Sequence, residues 1–398
     1  MKWINLGILA LLVSTASLAQ GEQGGTTARS IPVSVDCSAG ESLNRALSKL
    51  DKKTSYTVSV NGTCAEYVHV LGFENLTLKG LSGAKLLQPP TGAGNLGNDV
   101  LFIESSQSVT VQGFSIQADT TTVSAVGIGH GSTDIRLRNL TVTGGTFGII
   151  VFENSQVSIA YITAQDPGYT TLGIYDSSDV HVEHSVFQDS TGAPWHVGIA
   201  LGAAHITMYA TTIRNMQVGI DAESGSIVDL LYSSSYYPLI GPTDVTIENS
   251  AGTNYDGVTV NGGAVLNVQG AKLVIIQPGQ SWGGTTGGVL VSDGSKLVAA
   301  NGNLLSITGS YGHGIIVLNN SHATLGAITL TGSGHGGLVA ANLSSIDVAA
   351  STGLSSVGGN GVDLFCDSQS VITGSANIAG APRAQCANLL ATETAPLP

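Results

Sequence analysis

The sequence predicts an all-β chain folded as a single-domain parallel β-helix, a solenoid closed at its start by one short helix. Two observations carry this. A triplet of apolar residue, Gly and apolar residue recurs at Gly127, Gly148, Gly173, Gly198, Gly219, Gly257, Gly288, Gly314, Gly337 and Gly361. Each is followed, after a Ser/Asn/Asp turn, by a second alternating run, as in STDIRLRNLTV, NSQVSIAYITA, SSDVHVEHSVF and AAHITMYATTI. Period-two alternation marks half-buried strands, and the polar clusters mark turns. Successive glycines lie mostly 21 to 26 residues apart, with two longer intervals of 38 and 31. Short strands at that period, with no helix between them, wind into a coil whose rungs pair in parallel about 4.8 Å apart.

Taken from the start, Met1-Lys2, the apolar run Leu6 to Val13 and the small residues Ser17 and Ala19 read as a secretory signal peptide, residues 1–19. A flexible segment, residues 20–30, leads into the β-helix, residues 31–387. In SAGESLNRALSKL, Ser38 and Glu41 stand at capping-box spacing, and Leu43, Leu47 and Leu50 share one helical face. That helix closes the open end of the core, inside an N-terminal cap of residues 37–64. Residues 388–398 lack periodicity and form a tail.

Four cysteines fall as two local pairs, and an oxidising compartment makes two disulfides of them. Of three connectivities, Cys37–Cys64 and Cys366–Cys386 would staple the two ends. No Cys-x-x-Cys or Cys/His spacing suggests a metal site. The protein is expected in the extracellular space or periplasm, without membrane insertion.

The chain holds 14 basic and 27 acidic residues, a net charge of −13. That balance excludes nucleic acid as partner, whose phosphates demand a basic surface. An acidic polysaccharide also fits poorly, because no Lys lies between Lys85 and Lys272 and only Arg136, Arg138 and Arg214 fall in that interval.

The rungs and the capped start VDCSAGESLNRAL…VNGTC resemble the right-handed parallel β-helix proteins of the pectin-lyase-like superfamily. The resemblance implies a groove for polysaccharide on the strands that carry the glycine triplets. It assigns no chemistry, since one fold hosts many activities. Polygalacturonases of this superfamily carry N-T-D and D-D on successive rungs. Here TTLGIYD and WHVGIAL stand instead, and the G-H-G at Gly129–Gly131, Gly312–Gly314 and Gly334–Gly336 lacks the right neighbours. A lyase needs a basic residue on the groove, and Arg214 is the lone candidate.

Stacking the triplets puts Gly129, Ile150, Tyr175, Ala200, Asp221, Thr259, Leu290, Ile316, Val339 and Asp363 in one outward column. The chemistry concentrates at Tyr175, Asp176, His196, Asp221 and Glu223, with Trp195 alongside. Asp221 and Glu223 are two apart on one strand, which separates their Cα atoms by about 6.6 Å. A carboxylate pair at about that separation serves as acid and base in inverting glycoside hydrolysis. The cluster Asp179, His181, Glu183, His184 and Asp189 reads as a solvated strand face with an Asp179–His205 pair, since no third ligand converges on His181. The long intervals after Gly219 and Gly257 bring Tyr232, Tyr236, Tyr237, Tyr255 and Trp282, rings suited to stack on sugars.

The sequence therefore predicts a secreted β-helix that binds or acts on polysaccharide or a cell-surface glycan. Hydrolysis by Asp221 and Glu223 is the first chemistry, with no cofactor. One alternative is a non-catalytic structural or adhesive protein, suggested by the apolar column Leu290, Ile316, Val339. The other is a polyuronate lyase, which alone would call for Ca²⁺.

Overall fold

The computed structural model describes residues 30–90, 99–119, 124–191, 195–231, 243–248, 256–276, 287–300, 305–310, 312–326, 328–348, 356–358, 360, 362–374, 377–379, 384–386 and 389–390. The signal segment, and Tyr232, Tyr236, Tyr237, Tyr255 and Trp282, lie outside these residues, whereas Leu389–Leu390 of the expected tail form a strand that pairs with Val371–Gly374.

The described strands form three parallel sheets of 15, 13 and 13 strands. Each rung visits the sheets in one order. The glycine triplets lie in a sheet running from Val68–Leu71 to Ala384–Cys386, here the groove sheet. The chain then enters the sheet of Asp179–Glu183, here the wall sheet, and a third sheet of shorter strands such as Val186–Gln188. Inward residues from all three fill one continuous core, including Ile135, Leu137, Ile159, Val180, Val182, Ile199, Phe187 and Ile220, each fully buried.

At the corner between groove and wall sheets a buried serine column ties rung to rung. The Ser106 N–H donates to Ser132 Oγ at 3.3 Å, Ser155 to Ser178 at 3.2 Å, Ser321 to Ser344 at 3.3 Å and Ser344 to Ser370 at 3.2 Å. The Ser-Ser turns of the sequence are therefore also internal hydrogen-bond acceptors for backbone that water cannot reach.

The wall-sheet register is the one expected. Val157 faces Val180 and Val180 faces Ile206, while Ser158, His181 and Thr207 form one outward column and Ala160, Glu183 and Tyr209 another. His205 lies between two carboxylates, with Nδ1 2.9 Å from Asp179 and Nε2 3.0 Å from Asp229. Tyr209 donates its hydroxyl to Glu183.

The groove sheet departs from the triplet alignment at three rungs, those of Gly129, Tyr175 and Asp363. Ile150 pairs with Gly127 and Gly173, so Tyr175 faces Gly202 and shares the column of Glu223, not that of Asp221. Near the C-terminal end Val339 faces Phe365, while Asp363 is buried and accepts from Asn360 Nδ2 at 3.0 Å. A slip of two residues preserves the in-and-out alternation, so hydrophobic pattern alone cannot detect it. The true glycine column runs through Gly198, Gly219, Gly257, Gly288, Gly314 and Gly337. At Gly198 a Cβ would lie 2.5 Å from both Gly219 O and Ile213 Cγ2, so the corner closes only without a side chain.

The cap differs from its expected start. Gly40, at φ 84°, ends a 3₁₀ turn Cys37–Ala39, and the helix follows at Leu43–Leu47. Ser42, not Ser38, is its N-cap, accepting from Arg45 N–H at 3.2 Å; Glu66 accepts from Leu43 N–H at 2.6 Å. Glu41 instead accepts from Asp36 N–H at 2.6 Å. Leu43 and Leu47 are buried and Leu50 packs against the core. Cys37 and Cys64 are joined, which fits an oxidising compartment. Cys366 is also disulfide-bonded, and its register partner is Cys386. No described helix is long and apolar enough to cross a membrane.

Candidate active site

Three successive rungs of the groove sheet bring the sequence-predicted residues together: Thr170–Tyr175, Val197–Gly202 and Val218–Glu223. On the last, Asp221 and Glu223 project on one face because successive strand residues alternate. Glu223 is exposed and accepts from Asn261 Nδ2 at 3.3 Å. Asp221 is half-buried, and its Oδ1 has no hydrogen-bond partner among the described residues. Burial, reinforced by the Glu223 charge, pushes the Asp221 carboxyl up to about 6. One carboxyl of the pair thus holds its proton into the mildly acidic range beside a solvent-facing neighbour, the environment split that separates an acid from a base.

Tyr175 lies over glycine backbone. A Cβ on Gly173 would be 2.8 Å from its ring, and one on Gly202 would be 3.0 Å from it, so those two glycines are what allow the ring to lie against the sheet. Burial, then the charges of Tyr169, Asp221 and Glu223, push its phenol up to about 12, leaving a neutral hydrogen-bonding group beside the acids. Asp176 sits just past it in an exposed turn with φ 55°.

On the opposite edge of the strands, Val197 N–H donates to Tyr169 O and Gln217 N–H to His196 O, which stacks Tyr169, His196 and Gln217 rung over rung. Trp195 and Tyr169 are the open rings there, 65% and 49% exposed. His196 is buried, with Nδ1 2.9 Å from Asp189; that carboxylate also accepts from the Thr191 N–H at 2.8 Å and hydroxyl at 2.6 Å. Asp189 therefore belongs to the groove edge, fixing the His196 ring, and not to the solvated wall-sheet cluster in which its sequence neighbours lie.

Sequence reasoning missed two features. The first is Asp256, which opens the next strand, Asp256–Val260, and pairs in register with Val218. It is buried, and its Oδ1 accepts from Gly287 N–H at 2.7 Å. Burial pushes its carboxyl up to about 7 against the hydrogen bonds from Gly287 and Thr259, and the Asp221 charge adds to the rise. A signal existed: an Asp directly before the rung glycine, where neighbouring rungs carry Val197 and Val218.

The second is an aromatic lane running from the site toward the N-terminal end of the same sheet. Phe147 meets Tyr169 and Tyr175 edge-on, with centroids 6.1 and 6.2 Å apart. Phe102 and Phe152 stack within 7° of parallel at 6.2 Å, and His69 stacks on Phe102 at 5.4 Å. Between them His69 Nε2 lies 2.7 Å from Glu104, and His130 Nδ1 contacts Glu153 at 2.5 Å. Phe152 covers Gly129, where a Cβ would come within 2.6 Å of the ring. Six rung steps from His69 to Asp221, at about 4.8 Å each, make the lane about 29 Å long. None of the thirteen groove-sheet strands contains Lys or Arg.

The one grouping of three metal-donor side chains among the described residues, Cys37, Cys64 and Glu66, is spent on the cap disulfide.

A family model described as a right handed beta helix region matches residues 91–235. The chain carries a right-handed parallel β-helix. No curated protein matches this β-helix chain. Among solved structures, it is similar to the catalytic domain of a GH87 α-1,3-glucanase in complex with nigerose, at 14% identity and TM-score 0.44, covering 91% of this chain and 68% of that one. It is similar to a Family 28 exopolygalacturonase of Yersinia enterocolitica, at 8% identity and TM-score 0.42, covering 92% and 79%. A mutant of the periplasmic alginate epimerase AlgG is similar at 11% identity and TM-score 0.34, covering 90% and 83%.

Proposed function

We propose that this β-helix binds a neutral extracellular polysaccharide along the groove sheet and hydrolyses it at Asp221 and Glu223. The observation that carries the reading is the continuity of the aromatic lane with a carboxyl pair on one face of the sheet. Ring faces of Phe, Tyr and Trp take the apolar C–H faces of sugars, while carboxylates, imidazoles and the Tyr175 hydroxyl take their hydroxyl groups. A face whose strands hold no Lys or Arg offers a polyuronate no basic counter-charge, which favours a neutral polymer as the ligand.

In the hydrolytic step, Asp221 acts as the acid. Its proton passes to the glycosidic oxygen as the bond from that oxygen to the anomeric carbon breaks. Glu223 removes a proton from water, whose oxygen bonds to the same carbon. Atoms and charge balance, with both carboxyls restored by proton exchange with solvent. Tyr175 orients the sugar beside the pair, and Trp195 with Tyr169 forms the wall that limits water on the other edge.

Affinity electrophoresis of the mature protein in gels containing neutral or acidic polysaccharides tests the binding half. Retardation by a neutral polymer, lost on Tyr175→Ala with Phe152→Ala, is the expected result. Retardation only by polyuronates would refute it, and silence on every polymer would favour the adhesive or structural alternative.

A further inference from the structure

We propose that the C-terminal part of the groove sheet holds a second site, for a flat aromatic ring that carries a carboxylate or ester oxygen. A cavity of about 540 Å³ opens beside the strands His313–Val317, Gly336–Ala340 and Val362–Cys366. That volume is the size of a small-molecule site, and far more than a water needs. Its walls are apolar, with Ile316, Leu318, Val339 and Phe365 among them, and no carboxylate is among its described lining residues. In a chain of net charge −13, this is a place where an anionic or ester oxygen meets no repulsion from the lining.

The sequence pattern predicts an open contact strip along the column Leu290, Ile316, Val339. Ile316 and Val339 are instead 3% and 4% exposed, so they form a recessed wall of this cavity. Phe365, 36% exposed, leaves an accessible ring as the stacking partner for a flat ligand. The polar end is built by His313 and His335, whose ring centroids lie 5.8 Å apart. Gly336 makes room for that end, since a Cβ there would lie 2.8 Å from His313 Nδ1 and 2.6 Å from Val339 Cγ2. Imidazole N–H groups at one end and an apolar slot with an open ring at the other select a ligand of matching polarity: ring first, carboxyl oxygen toward the histidines.

The two sources of such a group are a free aromatic acid and an aromatic ester on a sugar polymer. Isothermal titration of the intact protein with 4-hydroxycinnamate, and with a neutral oligosaccharide bearing the same acid as an ester, separates them. Saturable one-to-one binding of either that Phe365→Ala weakens supports the site and names its source. Phe365→Ala, at an exposed position, is expected to weaken binding at least tenfold, and Val339→Asp more. Tyr175→Ala leaves binding of the free 4-hydroxycinnamate unchanged, so failure of the polysaccharide reading and failure of this one remain distinct. No saturable binding of either probe, equal binding of cyclohexanecarboxylate, or binding indifferent to Phe365→Ala overturns the proposal.

Discussion

Replacing Asp256 by Asn should stabilise the protein at alkaline pH and leave it nearly unchanged in acid. The Asp256 carboxyl is buried and lifted from 3.8 to about 7, foremost by that burial, with the charge of Asp221 adding to it. Between about pH 4, where an unfolded aspartate ionises, and about pH 7, the folded chain keeps a proton that the unfolded chain has released. Stability therefore falls as pH rises through that window. A window about three pH units wide, at about 1.36 kcal/mol for each, sets an upper bound of about 4 kcal/mol, of which about 2 kcal/mol is an order-of-magnitude expectation for a buried carboxyl. Asn retains an oxygen for the 2.7 Å bond from Gly287 N–H while removing the ionisation. Urea unfolding followed by circular dichroism at pH 4 and pH 8 reads the difference. The variant is expected to match the parent within about 0.5 kcal/mol at pH 4 and exceed it by about 2 kcal/mol at pH 8. Equal stability at both pH values would refute the burial argument, and so would a variant weaker at pH 8.

Three further outcomes follow from other parts of the molecule. Ser178→Ala removes the acceptor 3.2 Å from the buried Ser155 N–H and should cost about 1–3 kcal/mol in the same urea assay, with Ser177→Ala, at an exposed turn position, as an indifferent control. Opening the Cys37–Cys64 loop, with its sequence separation of 27, by the double Ser variant should lower stability by about 3.5 kcal/mol and speed proteolysis from the N-terminal end. Hydrolysis, read as new reducing ends, should decline above about pH 6 as Asp221 loses its proton, and a rate that kept rising to pH 8 would remove Asp221 from the acid role.

Much of the architecture is legible in the sequence because its signals are local. Glycine triplets, alternating runs and paired cysteines each report one rung or one cap, and the wall-sheet columns follow from them residue for residue. The groove-sheet register does not, because a shift of two residues at the rungs of Gly129, Tyr175 and Asp363 preserves the in-and-out alternation. That slip decides which column Tyr175 joins. The cap helix starts late for a related reason: Ser38 and Glu41 have the right spacing, but Gly40 breaks the chain between them, and Ser42 and Glu66 take over the N-terminus. At the site, Asp221, Glu223, Tyr175, His196 and Trp195 are readable as neighbours on adjacent rungs. Asp256 carried a signal in its place before the rung glycine, but Asp189 and the lane of Phe102, Phe147 and Phe152 are not readable, since their roles depend on burial and on rings crossing to glycines of other rungs.

The most direct test of the account incubates the mature protein and its Asp221→Asn and Glu223→Gln variants with a panel of neutral and acidic polysaccharides, measuring new reducing ends and unsaturated-uronate absorbance. The account predicts reducing ends from a neutral polymer, at least about a hundredfold fewer with either variant, and gel retardation by that polymer preserved in both. Cleavage that survives both substitutions, or unsaturated products from a polyuronate, would contradict it.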